Sequence, residues 1–127
     1  MADAVTVQTL YDGPGEYIVK LTNISDGSGE SAVTKITVAS LSAPCSELAI
    51  KKITFSTAGM GVDLLWGATA NVLIWHIPPD FAEELCFEGS SQLVNNAGAG
   101  KTGNLLLTTV GHSAGDRYSI VIEARKR

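Results

Sequence analysis

The chain has 127 residues, a formal net charge of −4 and only 17% charged residues, below the roughly 25% of an ordinary soluble domain. This length suits a single domain, residues 1–127, whose core needs neither a disulfide nor a metal. An acidic chain without a basic stripe is not expected to bind nucleic acid directly. No apolar run approaches the ~20 residues of a membrane-spanning helix, and no signal peptide is evident. We therefore expect a soluble protein that is made in the cytoplasm and does not bind membranes.

Short runs with period-two alternation, each ended by turn-forming residues, predict β-strands along the whole chain. In chain order the predicted strands cover residues 5–10, 16–23, 30–38, 48–57, 62–66, 72–77, 86–88, 104–110 and 117–124. The second and third strands, and the last two, are separated by turns and predict two hairpins. Residues 81–85 predict one helical turn. Eight or nine short strands predict an all-β fold, a two-sheet antiparallel sandwich of jelly-roll type.

Two of these strands carry features that predict how they pack. In residues 16–23 the alternation predicts that Tyr17, Val19 and Leu21 point inward. In residues 48–57 the alternation slips at Lys51-Lys52, and a bulge there would place the apolar residues on both sides of the slip on one face. Backbone register therefore explains the two lysines better than ligand binding does.

The centre of the chain, residues 62–77, predicts a core hairpin around a turn at residues 67–71. Its two strands hold both tryptophans, Trp66 and Trp75, and we expect both to be buried. The second strand has apolar residues on both faces, which is typical of a strand inside a two-layer stack.

Histidine and cysteine residues are scattered along the chain. His76 and His112 show no spacing typical of metal ligands, and His76 sits in an apolar strand, where a core or interface histidine is expected. Cys45 and Cys86 lack a CxxC spacing. A disulfide between them stays open, but free thiols are favoured in a reducing compartment.

The remaining candidates for chemistry are equally weak. Ser113 follows His112 directly, and neighbouring residues on a turn rarely form a nucleophile–base pair. Glu83 and Glu84 are adjacent, so their carboxylates should point apart rather than form a glycosidase pair. Residues 98–102 end like a phosphate-binding loop, but Asn95 occupies the first glycine position of that pattern and a strand follows. We expect no catalytic, cofactor-binding or metal site, and therefore a protein that is not an enzyme.

Three segments of the sequence resemble those of a known protein family. They are YDGPGEYIVKLTNISDG (residues 11–27), VDLLWGATANVLI (residues 62–74) and NNAGAGKTG followed by LLLTTVGHSAGDRYSIVIEARKR (residues 95–103 and 105–127). Together they resemble small virion proteins of tailed bacteriophages, in particular capsid decoration, or cement, proteins. The resemblance implies a β-rich structural protein without catalytic residues, located in the virion on the outside of the head. It implies the major capsid protein as partner, with neighbouring capsid subunits bridged, and a homo-oligomer, with a trimer favoured over a dimer.

Two segments are predicted to make the contacts with other subunits. Residues 1–10 form a candidate N-terminal arm that could add a strand to a neighbouring sheet. Residues 90–102 form a long loop of small residues that nothing in its pattern buries. The predicted interface residues are Val5, Val7, Leu10, Asn95, Asn96, Gly98, Gly100, Lys101 and Thr102. The rival hypothesis is a jelly-roll module that binds carbohydrate or a receptor, which an exposed tryptophan would favour.

Overall fold

The protein is an all-β sandwich. The computed structural model describes residues 4–25, 30–41, 45–87, 93, 95, 97–111 and 113–126. The strands are β1 (Ala4–Asp12), β2 (Glu16–Ile24), β3 (Val33–Ile36), β4 (Leu48–Ala58), β5 (Gly61–Trp66), β6 (Val72–Ile77), β7 (Ala82–Cys86), β8 (Leu105–Val110) and β9 (Arg117–Lys126). A short 3₁₀ helix, Val38–Ser40, follows β3. Within the described ranges no helix is long and apolar enough to cross a membrane.

The strands form two antiparallel sheets with jelly-roll topology. One sheet has the order β1-β2-β9-β4-β7 and the other the order β3-β8-β5-β6. The pairs β5–β6, β4–β7, β3–β8 and β2–β9 are nested around the turn at residues 67–71. The chain is thus one long hairpin rolled into two facing sheets, as in jelly rolls. The predicted fold class is confirmed.

The core lies between the inner faces of the two sheets, and the predicted alternation is confirmed there. Tyr17, Val19 and Leu21 of β2 are all buried. The predicted bulge in β4 is also present, because the register of β4 with β9 shifts between Ile50 and Lys52. The shift allows apolar residues on both sides of it to enter the core. The largest fully buried side chains are Trp66, Tyr118, Leu21, Ile36, Leu48, Ile50, Ile53, Met60, Leu64, Ile77, Leu105 and Leu107.

Three predictions of local structure are wrong. The predicted hairpins 16–23/30–38 and 104–110/117–124 do not form, because β2 and β9 lie in the five-stranded sheet while β3 and β8 lie in the four-stranded sheet. The turns between these strands cross from one sheet to the other. The predicted helical turn at residues 81–85 is instead part of β7, since antiparallel pairing with β4 overrides the local preference.

The prediction that the second strand of the central hairpin lies inside the stack is also wrong. Strand β6 is the edge of the four-stranded sheet. Trp66 of β5 is buried, but Trp75 of β6 is 36% exposed. A register shift between Leu64 and Leu65 leaves an extra residue in β6, so apolar side chains appear on both faces of an edge strand.

A buried polar cluster around Glu30 connects the two sheets at one end of the sandwich. The Glu30 carboxylate accepts hydrogen bonds from Asn23 Nδ2 at 2.7 Å and from Tyr118 Oη at 2.6 Å. It also forms an ion pair with Lys35, and both side chains of that pair are at most 5% exposed. The Glu30 backbone N–H donates to Thr109 Oγ1 at 2.8 Å. The cluster therefore joins β2 and β9 of one sheet to β3 and β8 of the other.

Removing the charge of Glu30 should destabilise the protein strongly. The substitution Glu30→Gln leaves the Lys35 ammonium buried without its counter-ion, and we expect a loss of about 3–5 kcal/mol in the free energy of unfolding. Urea denaturation measures this loss. The control Lys101→Gln breaks the exposed ion pair with Glu47 and should cost less than about 1 kcal/mol. The account of the cluster is wrong if both variants unfold alike, and Lys35→Met should rescue Glu30→Gln.

Candidate protein-interaction surfaces

The predicted N-terminal contact residues lie on a strand of the protein's own sheet rather than on a free arm. Residues 4–12 form β1, which pairs with β2 at the edge of the five-stranded sheet. Val5, Val7 and Leu10 are 40%, 46% and 48% exposed. Val5 and Val7 lie opposite Asn23 and Leu21, which are buried, so they belong to the inner face of the sheet. Their exposure shows that none of the described residues covers this part of the inner face.

The predicted contact loop is only partly exposed. Asn95 is buried, and Asn96 lies outside the described residues. Leu93 forms an isolated β-bridge with Ile50 and packs against the core. The prediction that nothing buries the loop in the protein's own core is therefore wrong for Leu93 and Asn95. The sequence contained a signal for this, since Leu93 is a large apolar residue within a loop of small ones.

The second half of the loop is exposed but fixed to the turn between β5 and β6. Gly98, Gly100, Lys101 and Thr102 are all exposed. The N–H of Thr102 donates to the Gly67 carbonyl at 3.0 Å, and Lys101 Nζ donates to Glu47 Oε1 at 2.8 Å. These four residues present an ordered surface beside the central turn. Their contact with another subunit stays a prediction.

Glycine is required where this loop turns into β8. Gly103 has a φ of +83°, and a Cβ there would lie 2.0 Å from the Ser46 carbonyl oxygen. We expect Gly103→Ala to lower the free energy of unfolding by about 1–3 kcal/mol, because both the backbone angle and the contact become strained. Gly98→Ala is a matched control in the same loop, since a Cβ at Gly98 meets nothing within 4 Å. Thermal unfolding of both variants checks this, and equal midpoints would contradict it.

Ion pairs lie on the outer face of the five-stranded sheet, around Lys51 and Lys52 of β4. Lys51 Nζ lies 2.7 Å from Glu16 Oε2. Lys52 Nζ lies 3.4 Å from Glu84 Oε1 and 3.7 Å from Glu123 Oε2. A hydrogen bond to Glu84 and the charges of both carboxylates raise the pKa of Lys52 above its ordinary value. Lys52 therefore stays charged and paired at neutral pH, and this face is suited to solvent.

The outer face of the four-stranded sheet is different, because leucines lie side by side across it. Leu106 of β8 pairs in register with Leu65 of β5, and Leu65 pairs with Leu73 of β6. Cross-strand partners share a face, and the residues before and after Leu65 are buried, so this leucine row points outward. Leu73 is 52% exposed. Val110, 41% exposed, lies on the same face of β8.

A carboxylate–imidazole pair lies next to the leucine row. Asp63 of β5 is in register with His76 of β6, and His76 Nδ1 lies 2.5 Å from Asp63 Oδ1. Thr108 of β8 is the other neighbour of Asp63, and its hydroxyl accepts a hydrogen bond from the Ala32 N–H at 2.8 Å. The imidazole of His76 and the carboxylate of Asp63 are thus paired with each other across the two strands.

The other candidates for chemistry lie apart from this pair. The backbone N–H of Ser113 donates a hydrogen bond to Asp116 Oδ2 at 2.8 Å. His112 lies outside the described residues. No disulfide joins Cys45 to Cys86. In the part of the chain that the structure describes, no group of three or more His, Cys, Asp or Glu residues could hold a metal ion.

Trp75 is the aromatic residue that sequence reasoning misplaced. It lies opposite buried Leu64 in the register of β5 and β6. Its ring contacts Phe87 edge-on, with ring centroids 5.8 Å apart and planes inclined by 63°. Phe87 directly follows β7, so this contact bridges the edge strands of the two sheets. Part of the indole remains exposed at the open side of the sandwich.

Comparison of the chain with protein-family models and with curated proteins finds no match. What the protein does is therefore inferred from its own surfaces and from the resemblance of its sequence phrases.

Proposed function

We propose that the protein is a non-enzymatic structural component of a tailed-phage virion that decorates the capsid and bridges neighbouring capsid subunits. The observation that carries this proposal is the leucine row of Leu65, Leu73 and Leu106 on the outer face of the four-stranded sheet. The resemblance of the sequence to decoration proteins supplies the identity of the assembly, and the major capsid protein is the proposed partner.

The contrast between the two outer faces supports attachment through one of them. Burying the five-stranded sheet would desolvate several ion pairs, such as Lys51–Glu16, and that is costly. Burying the leucine row removes apolar surface from water at roughly 25 cal/mol per Å². The Asp63–His76 pair beside the row is already satisfied internally. The four-stranded sheet is thus the face that a capsid surface can cover at lower cost.

The exposed glycine-rich loop extends this face at one end. Gly98, Gly100 and Thr102 are exposed, and the loop is hydrogen-bonded to the turn from which β6 begins. A leucine row and a preordered loop provide two points of attachment, and several modest contacts give high occupancy when they act together. This arrangement fits a protein that bridges two capsid subunits.

Binding to capsids tests the proposal directly. Particles of the encoding phage that lack this protein should bind the added chain in a co-sedimentation assay. We expect Leu73→Asp to weaken binding at least about tenfold, because it buries an unpaired charge in the contact. The matched control is Thr54→Asp, an exposed position on the outer face of the other sheet, which should bind like the natural chain. Equal binding by both variants, or no binding of the natural chain, would refute the proposal.

The exposure of Trp75 favours a second candidate function, a jelly-roll module that binds carbohydrate on a host surface. An exposed indole can stack on a sugar ring, and the edge-on contact with Phe87 holds it in place. This function would use the open side of the sandwich rather than the leucine row.

A glycan array distinguishes the two candidates. If the second is correct, the natural chain binds a defined glycan. Trp75→Ala should then lower the affinity at least about tenfold, because the sugar ring loses the indole on which it stacks. Phe81→Ala is the matched control, since Phe81 is 47% exposed and packs on Phe55 instead. A blank array with the natural chain would rule the carbohydrate function out.

A further inference from the structure

The four edge strands of the two sheets differ in how well they are protected from pairing with another chain. Natural sheets protect their edges with short strands, charges, prolines, bulges or inward-pointing charged residues. The edges here are β1 and β7 of one sheet and β3 and β6 of the other. Three of these four edges carry such protection.

Strand β3 has only four residues, a register shift and the inward-pointing, buried Lys35. Strand β7 has five residues and carries the carboxylates of Glu83 and Glu84. Strand β6 has a register shift, carries His76 and is followed by Pro78-Pro79. Each of these strands would pair poorly with a strand of another molecule.

Strand β1 has less of this protection, because its one register shift lies near its end, at residues 9–11. It has nine residues, and residues 4–9 pair with β2 in continuous register before the shift at residues 9–11. Residues 4–11 contain no charge, no proline and no glycine. The one charged residue of the strand, Asp12, accepts a hydrogen bond from Lys126 Nζ at 2.6 Å. The strand thus offers a neutral row of backbone donors and acceptors at its free side.

The side chains of β1 point to the same conclusion. The five-stranded sheet has one strand more than the sheet that faces it, and Val5 and Val7 belong to its inner face but remain 40% and 46% exposed. The described residues leave these apolar side chains open, and a second strand that extends the sheet gives them lateral neighbours on the same face.

We propose that β1 is a homotypic pairing edge, at which two copies of this chain join antiparallel into one continuous ten-stranded sheet. A second copy is the occupant that fits, because the strand is neutral and no like charges oppose one another when it pairs with itself. Antiparallel pairing about a twofold axis satisfies both free edges at once and leaves no further edge of this kind.

A twofold axis at any residue of β1 pairs inner-face residues with inner-face residues. We place the axis at Val7, the middle of the three inner-face residues Val5, Val7 and Thr9, so that it lies opposite the partner subunit's Val7 while Val5 lies opposite the partner subunit's Thr9. All of these side chains are β-branched, and such pairs stabilise a sheet. One free edge closes as a dimer, so this inference favours a dimer over the trimer that the resemblance implies. It goes beyond the capsid proposal and does not depend on it.

Light scattering after size exclusion, with sedimentation equilibrium, tests the dimer. The natural chain should show twice its mass of 13.3 kDa. Val7→Lys places two lysines opposite each other and should raise the dimer dissociation constant at least about tenfold. Val33→Lys, the same change at a 39% exposed valine on β3, an edge strand of the other sheet, should leave it unchanged. Circular dichroism establishes that both variants are folded.

A cross-link tests the register independently of the lysine variant. In a chain with Cys45→Ala and Cys86→Ser, the added substitution Val7→Cys should give a disulfide-linked dimer under mild oxidation, whereas Val33→Cys should not. A natural chain that is monomeric or trimeric overturns the inference. A dimer that Val7→Lys leaves intact, or that Val7→Cys fails to cross-link, overturns it as well.

Discussion

Nested antiparallel pairing of β5 with β6, β4 with β7, β3 with β8 and β2 with β9 holds the two sheets together. Of the connections from β2 to β9, all except the one from β5 to β6 cross between the sheets. Neither sheet can therefore be completed without the other, and both apolar faces close on a single core. The Glu30 cluster fixes the two sheets together at the end of the sandwich where β2 and β8 finish.

The same topology decides which surfaces remain for other molecules. Eight strands complete the nest, four in each sheet, and β1 is added outside it beside β2. Its inner face therefore has no facing strand among the described residues, which explains why Val5 and Val7 are exposed. The outer faces of the two sheets differ in composition, since one carries ion pairs and the leucine row lies across the other. Surface chemistry thus follows from strand order together with the identity of the residues that point outward.

The sequence predicted which side chains of a strand point inward better than it predicted which strands pair with each other. Period-two alternation placed Tyr17, Val19 and Leu21 in the core, and the slip at Lys51-Lys52 predicted the bulge, because both depend only on local backbone geometry. The hairpin of residues 16–23 with residues 30–38 failed, because a turn between two strands does not specify whether they pair or cross between sheets. The prediction that Trp75 is buried failed, because apolar residues on both faces are as typical of a bulged edge strand as of a central strand.

The candidate surfaces were only partly predictable for related reasons. Val5, Val7 and Leu10 lie exposed on the edge strand β1, and their contact with another subunit stays a prediction. The leucine row was missed, because its members come from three strands whose register is set by the fold. Leu65 nevertheless indicated an apolar outer face, since this leucine alternates with the inward-pointing residues of its own strand.

Cryo-electron microscopy of the intact phage particle tests the proposed attachment to the capsid. We expect density for this jelly roll on the outside of the head, where capsid subunits meet, with Leu65, Leu73 and Leu106 against the capsid and the ion-paired sheet facing solvent. A particle without this density contradicts the account. A particle in which the leucine row faces solvent contradicts it equally.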